Sequence, residues 1–188
     1  MRTTIRAAVV GIAVLASLAL AGCSSGSETS GSAATSGSDG SRVKLYSSLP
    51  ELSADSAVIA SGTVTNQRTA ADIDSVTEFT ISTMSVSAVV KGSGLASGST
   101  LEVRQIGSAK HPGPAPLMTV GSTYLLYLTP SGLSGPLASQ YYVTGGTAGL
   151  YIAGSSGVAA RSSGSFSHIN SDEGDRLPAD VTLAGAAG

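Results

Sequence analysis

The apolar positions of this chain fall into three regimes. Ala7 to Leu20 is an apolar run broken only by Gly11 and Ser17. Residues 24–40 carry almost nothing but Ser, Gly, Thr and Ala, with no apolar period at all. From about residue 41, short stretches of β-branched and apolar residues alternate with Gly, Ser and Pro clusters, the pattern of strands joined by turns. No ten-residue stretch of this last regime keeps a 3.6-residue apolar period. One short helix is expected at Ser48-Leu49-Pro50-Glu51, where a capping serine is followed three residues later by glutamate, with a proline in the first turn.

The strands can be placed one by one. Ala57 to Asn66 is rich in β-branched residues and follows the helix. In Thr77 to Lys91 the apolar residues sit at odd positions (Phe79, Ile81) and then at even ones (Met84, Val86, Ala88, Val90), a change of parity that predicts a bulge or bend in a long strand. Thr100 to Ile106 places Leu101 and Val103 on one face. Thr123 to Thr129 is apolar on both faces, as a central strand is. Gln140 to Thr144 and Gly149 to Ala153 flank Gly145-Gly146 and read as a hairpin. These elements predict a mostly β domain over residues 41–162: a small antiparallel barrel of five or six strands, with a β-sandwich as the alternative. Residues 163–188 read as a polar tail.

The first regime has its own chemistry. Arg2 and Arg6 precede an apolar run too short for the roughly twenty residues that span a bilayer as a helix, so residues 1–22 read as a removable export signal. The run closes on Leu20-Ala21-Gly22-Cys23. This tetrapeptide resembles the lipobox of bacterial lipoproteins. The resemblance implies diacylglycerol on the Cys23 sulfur and cleavage between Gly22 and Cys23. The mature chain is then expected on the cell membrane, anchored through Cys23 on the extracytoplasmic side. Two or more acyl chains make such anchoring stable. Cys23 is the one cysteine of the chain, which rules out a disulfide within it. Residues 23–40 then form a flexible tether between lipid and domain.

A second resemblance lies in the order of short segments from Ala54 to Ala153. Ala-Asp-x-Ala-Val-Ile-Ala-x-Gly-Thr-Val (54–64) is followed by Val-x-Ala-Val-Val-Lys-Gly (86–92), Gly-Ser-Thr-Leu-Glu-Val-Arg (98–104) and Val-Gly-Ser-Thr-Tyr-Leu-Leu-Tyr-Leu (120–128). This order is similar to the OB-like barrels of netrin and TIMP-like modules. Metalloprotease inhibitors of that fold present an N-terminal cysteine amine to zinc and are braced by disulfides. Here Cys23 is assigned to lipid and has no disulfide partner, so that inhibitory mechanism does not transfer.

Charge and candidate chemistry narrow the reading further. The formal charge of −2 becomes −4 when Arg2 and Arg6 leave, which argues against nucleic acid as a partner. His111 and His168 are the only histidines, too far apart in sequence for a zinc spacing, and no cofactor is expected. Asp172, Glu173 and Asp175 lack the ligand spacing of a calcium loop, and Asp72 and Asp74 read as loop residues between strands. Gly22-x-Ser24-x-Gly26 spans the processing site, and Ser41-x-x-Lys44 ends the tether without companion motifs, so neither matches its catalytic context. Tyr124, Tyr127, Tyr141, Tyr142 and Tyr151 fit core packing or a binding face. The loop His111-Pro112-Gly113-Pro114-Ala115-Pro116 cannot hold a strand ladder. Within it His111, Pro112 and Pro114 are the candidate binding residues, because a rigid loop presents side chains well. The expected function is a non-enzymatic envelope lipoprotein that binds a protein, peptide or small ligand. A cell-envelope hydrolase and a purely structural lipoprotein are the alternatives.

Overall fold

The computed structural model describes residues 44–154, 164–169 and 174–188. The signal segment, Gly22, Cys23, the tether, Asp172 and Glu173 lie outside the described residues.

The expected helix forms as α1, Leu49–Asp55, with Ser48 in an extended conformation at its N-cap. The Ser48 hydroxyl accepts from Glu51 N at 3.4 Å. The returning half of the capping box lands one residue early: the Glu51 carboxylate accepts from Ser47 N at 3.0 Å and from its hydroxyl at 2.8 Å. Leu52 anchors the helix, fully buried.

Eight strands follow among the described residues: β1 Val58–Ala70, β2 Phe79–Lys91, β3 Thr100–Ile106, β4 Thr123–Pro130, β5 Gln140–Val143, β6 Leu150–Ala153, β7 Ser165–His168 and β8 Asp180–Thr182. The order β1-β2-β3-β5-β4 is closed by a β1–β4 pairing, so five strands form a ring. The protein is thus mostly β, and the ring is the small barrel expected. Every pairing is antiparallel except β3–β5, which is parallel. That exception corrects the all-antiparallel expectation. A parallel pair needs a long crossover, and β4 lies in the connection that provides it.

The central strand β4 explains how the domain stays together. Its Tyr124, Leu126 and Leu128 point into the barrel with Val64, Met84 and Val103. Its Leu125 and Tyr127 point outward, where they pack with Leu52 of α1, Tyr151 of β6, Phe166 of β7 and Val181 of β8. One core therefore fills the ring and a second lies on its outer face. Full burial of each such side chain contributes about 1.5–3 kcal/mol.

Three expectations are resolved here. The bulge expected in β2 lies on its β1 side: with β3 the register is unbroken from Phe79↔Ile106 to Ser85↔Thr100, whereas with β1 it shifts three times. The covered face switches as well. Ile81 lies opposite Arg104, on the outward face with Phe79, whereas Met84 and Val86 belong to the interior. The register shift between Val64↔Met84 and Asn66↔Thr83 falls opposite this change of parity, and two more put an extra residue in β2, at Ser87 and at Val90.

Second, β5 and β6 do not form a hairpin. Both pair antiparallel with β4, β5 at Leu128–Pro130 and β6 at Tyr124–Leu126. The Gly145-Gly146 segment is an excursion between them, pinched by Gly149 N donating to Thr144 O at 3.0 Å. Third, the polar tail is built into the sheet as β7 and β8, with the Tyr127 hydroxyl donating to Ala186 O at 2.8 Å.

Candidate functional site

The proline loop builds an open groove of about 440 Å³ at one end of the barrel, lined within residues 108–117. Its shape is set by a close approach of backbone to backbone. Gly107 has φ +100° and Gly113 lies against the carbonyl of Ile106, so a Cβ at either position would collide with main chain. The far wall is pinned by Gln105, whose amide donates to Pro116 O and whose oxygen accepts from Met118 N, each at 2.9 Å. Both interactions reach from β3, so this wall is held by the barrel.

The near wall is held by Glu78, at the start of β2. Its Oε2 accepts from the Ser108 hydroxyl and meets His111 Nδ1 at 3.0 Å. Ser108 Oγ in turn accepts from Lys110 N and His111 N, each at 3.1 Å. These contacts, the Ser108 hydroxyl first and His111 second, hold the Glu78 carboxyl below the usual range. The His111 side chain is 73% exposed. Pro112 and Pro114 both line the groove. Of the three candidate residues, Pro112 and Pro114 thus share the groove, while His111 stands on the same loop outside its lining.

The chemistry available there is limited. Ser, His and Glu are neighbours, but hydroxyl and imidazole bond the same carboxylate oxygen. An activated serine needs its hydroxyl on an imidazole nitrogen, with the acid behind the ring. Here the hydroxyl proton goes directly to Glu78, and the serine oxygen caps two backbone amides. The arrangement fixes a loop.

His168 stands apart. It lies in β7, with Nε2 3.1 Å from Ala148 O and its ring 4.6 Å from that of Tyr151. Nothing it touches is shared with His111. No three metal-ligating side chains converge among the described residues. Of the tyrosines, Tyr124, Tyr127 and Tyr151 are core residues and Tyr141 and Tyr142 are half-buried. Burial pushes the Tyr127 hydroxyl up to about 12 and raises that of Tyr151. No described helix is long and apolar enough to cross a membrane.

A second polar assembly adjoins the groove and was not foreseen. Arg104 of β3 is fully buried on the outward face of the barrel. It forms a two-pronged pair with Asp72 of the β1–β2 loop, at 2.7 and 2.8 Å, and donates from Nε to Gln140 at 2.8 Å. Its guanidinium lies 4.8 Å from the centre of the Phe79 ring. The guanidinium holds the Asp72 carboxyl below its ordinary value. Asp74 of the same loop accepts from Val76 N at 2.8 Å and from Thr77 N, and these bonds likewise lower its carboxyl. The loop is thus latched at Asp72, Asp74 and Glu78.

Neither a protein-family model nor a curated protein matches this chain.

Proposed function

We propose that this chain is a lipid-anchored envelope protein, held through Cys23 on the extracytoplasmic side of the cell membrane, whose barrel acts as a non-enzymatic binding module. The observation that carries the binding half is the groove of residues 108–117. A cleft that size, walled by proline and alanine and pinned by Gln105 and Glu78, holds its form before any ligand arrives. Preformed apolar concavities with a few fixed polar groups are the usual form of a binding site. The lipobox-like Leu20-Ala21-Gly22-Cys23 carries the anchoring half.

The two halves have separate tests. Cys23→Ala is expected to abolish incorporation of labelled palmitate and to leave the precursor uncut; continued labelling would end the anchor reading. For the groove, Pro112→Ala with Pro114→Ala in the anchored chain should remove a crosslinked partner that the parent chain captures. Identical capture profiles would count against the groove as the binding surface. The hydrolase alternative draws on the meeting of Ser108, Glu78 and His111, and needs the serine to leave Glu78 for the imidazole. It predicts turnover of cell-wall fragments that His111→Gln abolishes.

A further inference from the structure

The groove has a neighbour that its own residues do not account for. The β1–β2 loop, residues 71–78, meets the groove loop at Glu78, whose carbonyl accepts from Gly107 N at 2.8 Å and whose carboxylate holds Ser108 and His111. At its tip Val76 is 87% exposed, with Ile73 at 43%, and Ile106 beside the groove is 48% exposed. An aliphatic side chain so exposed on a loose loop would mean little. This one stands on ordered backbone: Asp74 takes the amides of Val76 and Thr77, and Asp72 is clamped on buried Arg104. Ordering cost is normally incurred on binding, and here the fold has already met it.

Charge says what kind of partner fits. The tip carries three carboxylates, Asp72, Asp74 and Glu78. Asp72 is neutralised by Arg104, and Glu78 has His111 on its oxygen with Lys110 nearby. Asp74 stands two residues from Val76, and its oxygen accepts from the amides of its own turn. An ionised carboxylate beside an exposed valine complements an aliphatic group flanked by a cation.

We propose that this end of the barrel docks an extended peptide segment, an aliphatic side chain seated between Val76 and the proline-walled groove and a neighbouring Lys or Arg set against Asp74. The proposal rests on the reading of the groove as a binding site and names its ligand class. The main chain in the groove walls is fixed, so an extended segment adds few ordering costs beyond its own. Anionic lipid is disfavoured by the same carboxylates.

The test uses the full acylated chain in nanodiscs of neutral phosphatidylcholine, probed with a phage-displayed random peptide library. Selected peptides are expected to share an aliphatic residue next to Lys or Arg. Binding of one such synthetic peptide should fall at least about tenfold in Val76→Asp, the size expected of a central apolar contact. Asp74→Asn should weaken it by less and flatten its salt dependence. Val76 is exposed, so Val76→Asp and Val76→Ser should both leave the melting temperature unchanged. If peptides are recovered that need Pro112 and Pro114 but ignore Val76 and Asp74, this proposal falls while the groove reading stands. If none is recovered, both fall. A fluorophore on Val76→Cys that brominated lipid quenches and peptide does not perturb would assign the tip to the bilayer and overturn the proposal.

Discussion

Two carboxylate–base pairs stand six residues apart on one loop and do opposite work. Asp72 grips Arg104 with both oxygens, and the guanidinium is wholly buried beneath the Phe79 ring with Gln140 on its third nitrogen. Glu78 meets His111 with one oxygen, shares that oxygen with Ser108, and leaves the imidazole 73% exposed. A buried cation depends on its partner, because water no longer reaches it; an exposed one exchanges its partner for water at little cost. The first pair therefore fixes where the loop lies. The second leaves a surface that a ligand can reach, and the groove is found beside it.

The sharpest way to break this contrast is Asp72→Asn. It leaves a buried guanidinium with only Gln140 as a strong acceptor. Loss of one partner of a buried pair costs about 3–5 kcal/mol, and the solvent-facing side of Asp72 places this case near 3 kcal/mol. Urea unfolding of the domain should show it; a change within error would mean that the clamp adds nothing. The same variant has a signature in acid. Arg104 depresses the folded-state carboxyl of Asp72, so its contribution is present above the unfolded value near 3.8 and is lost as pH falls through the folded value. The stability gap between parent and Asp72→Asn should hold constant at neutral pH and narrow below about pH 4. A gap that stays constant through the acid limb would refute the ion pair as its source.

A smaller effect is expected from Ser108→Ala. Ser108 is buried and its oxygen accepts two amides while its proton goes to Glu78. Leaving those amides uncapped costs about 1–2 kcal/mol. The loss should be local: amide exchange at Lys110 and His111 should quicken while that of β4 does not.

How far the sequence forecast each region follows from what its residues need. The strands around the interior were legible because their apolar residues repeat with the pleat, as in Leu101 and Val103, or fill both faces, as in β4. The groove loop was legible because three prolines cannot serve a ladder. Arg104 was not. Its even position in β3 reads as solvent-facing, and only the register of Ile81 opposite it, with Asp72 folded over from a loop, turns that face into an interior. The parity change in β2 has two causes: the outward face carrying Phe79 and Ile81 is covered, and the register with β1 shifts opposite Met84. The pairing of β5 and β6 was misread for a related reason. Gly145-Gly146 carries a strong local turn signal, yet β4 offers both segments one free edge, and long-range pairing overrode the local preference. Glu78 left no periodic trace, although a glutamate entering a strand opposite a Ser-x-x-His loop is a pattern that can be searched for.

The smallest expected effect is also the one that most directly tests the comparison. His111→Gln removes the imidazole from Glu78 but leaves Ser108 bonded to the carboxylate and capping the two loop amides. If the loop is held by Ser108, the melting temperature at neutral pH and amide exchange at residues 110 and 111 should match the parent. Any effect should appear only in binding to the groove. The reasoning is one of exposure: a ring 73% in water gains little from a single contact on a carboxylate that water also reaches. If His111→Gln instead loosened the loop as much as Ser108→Ala, the imidazole would be part of the latch. The exposed pair would then resemble the buried one in function, and His111 would lose its claim to be available for a ligand.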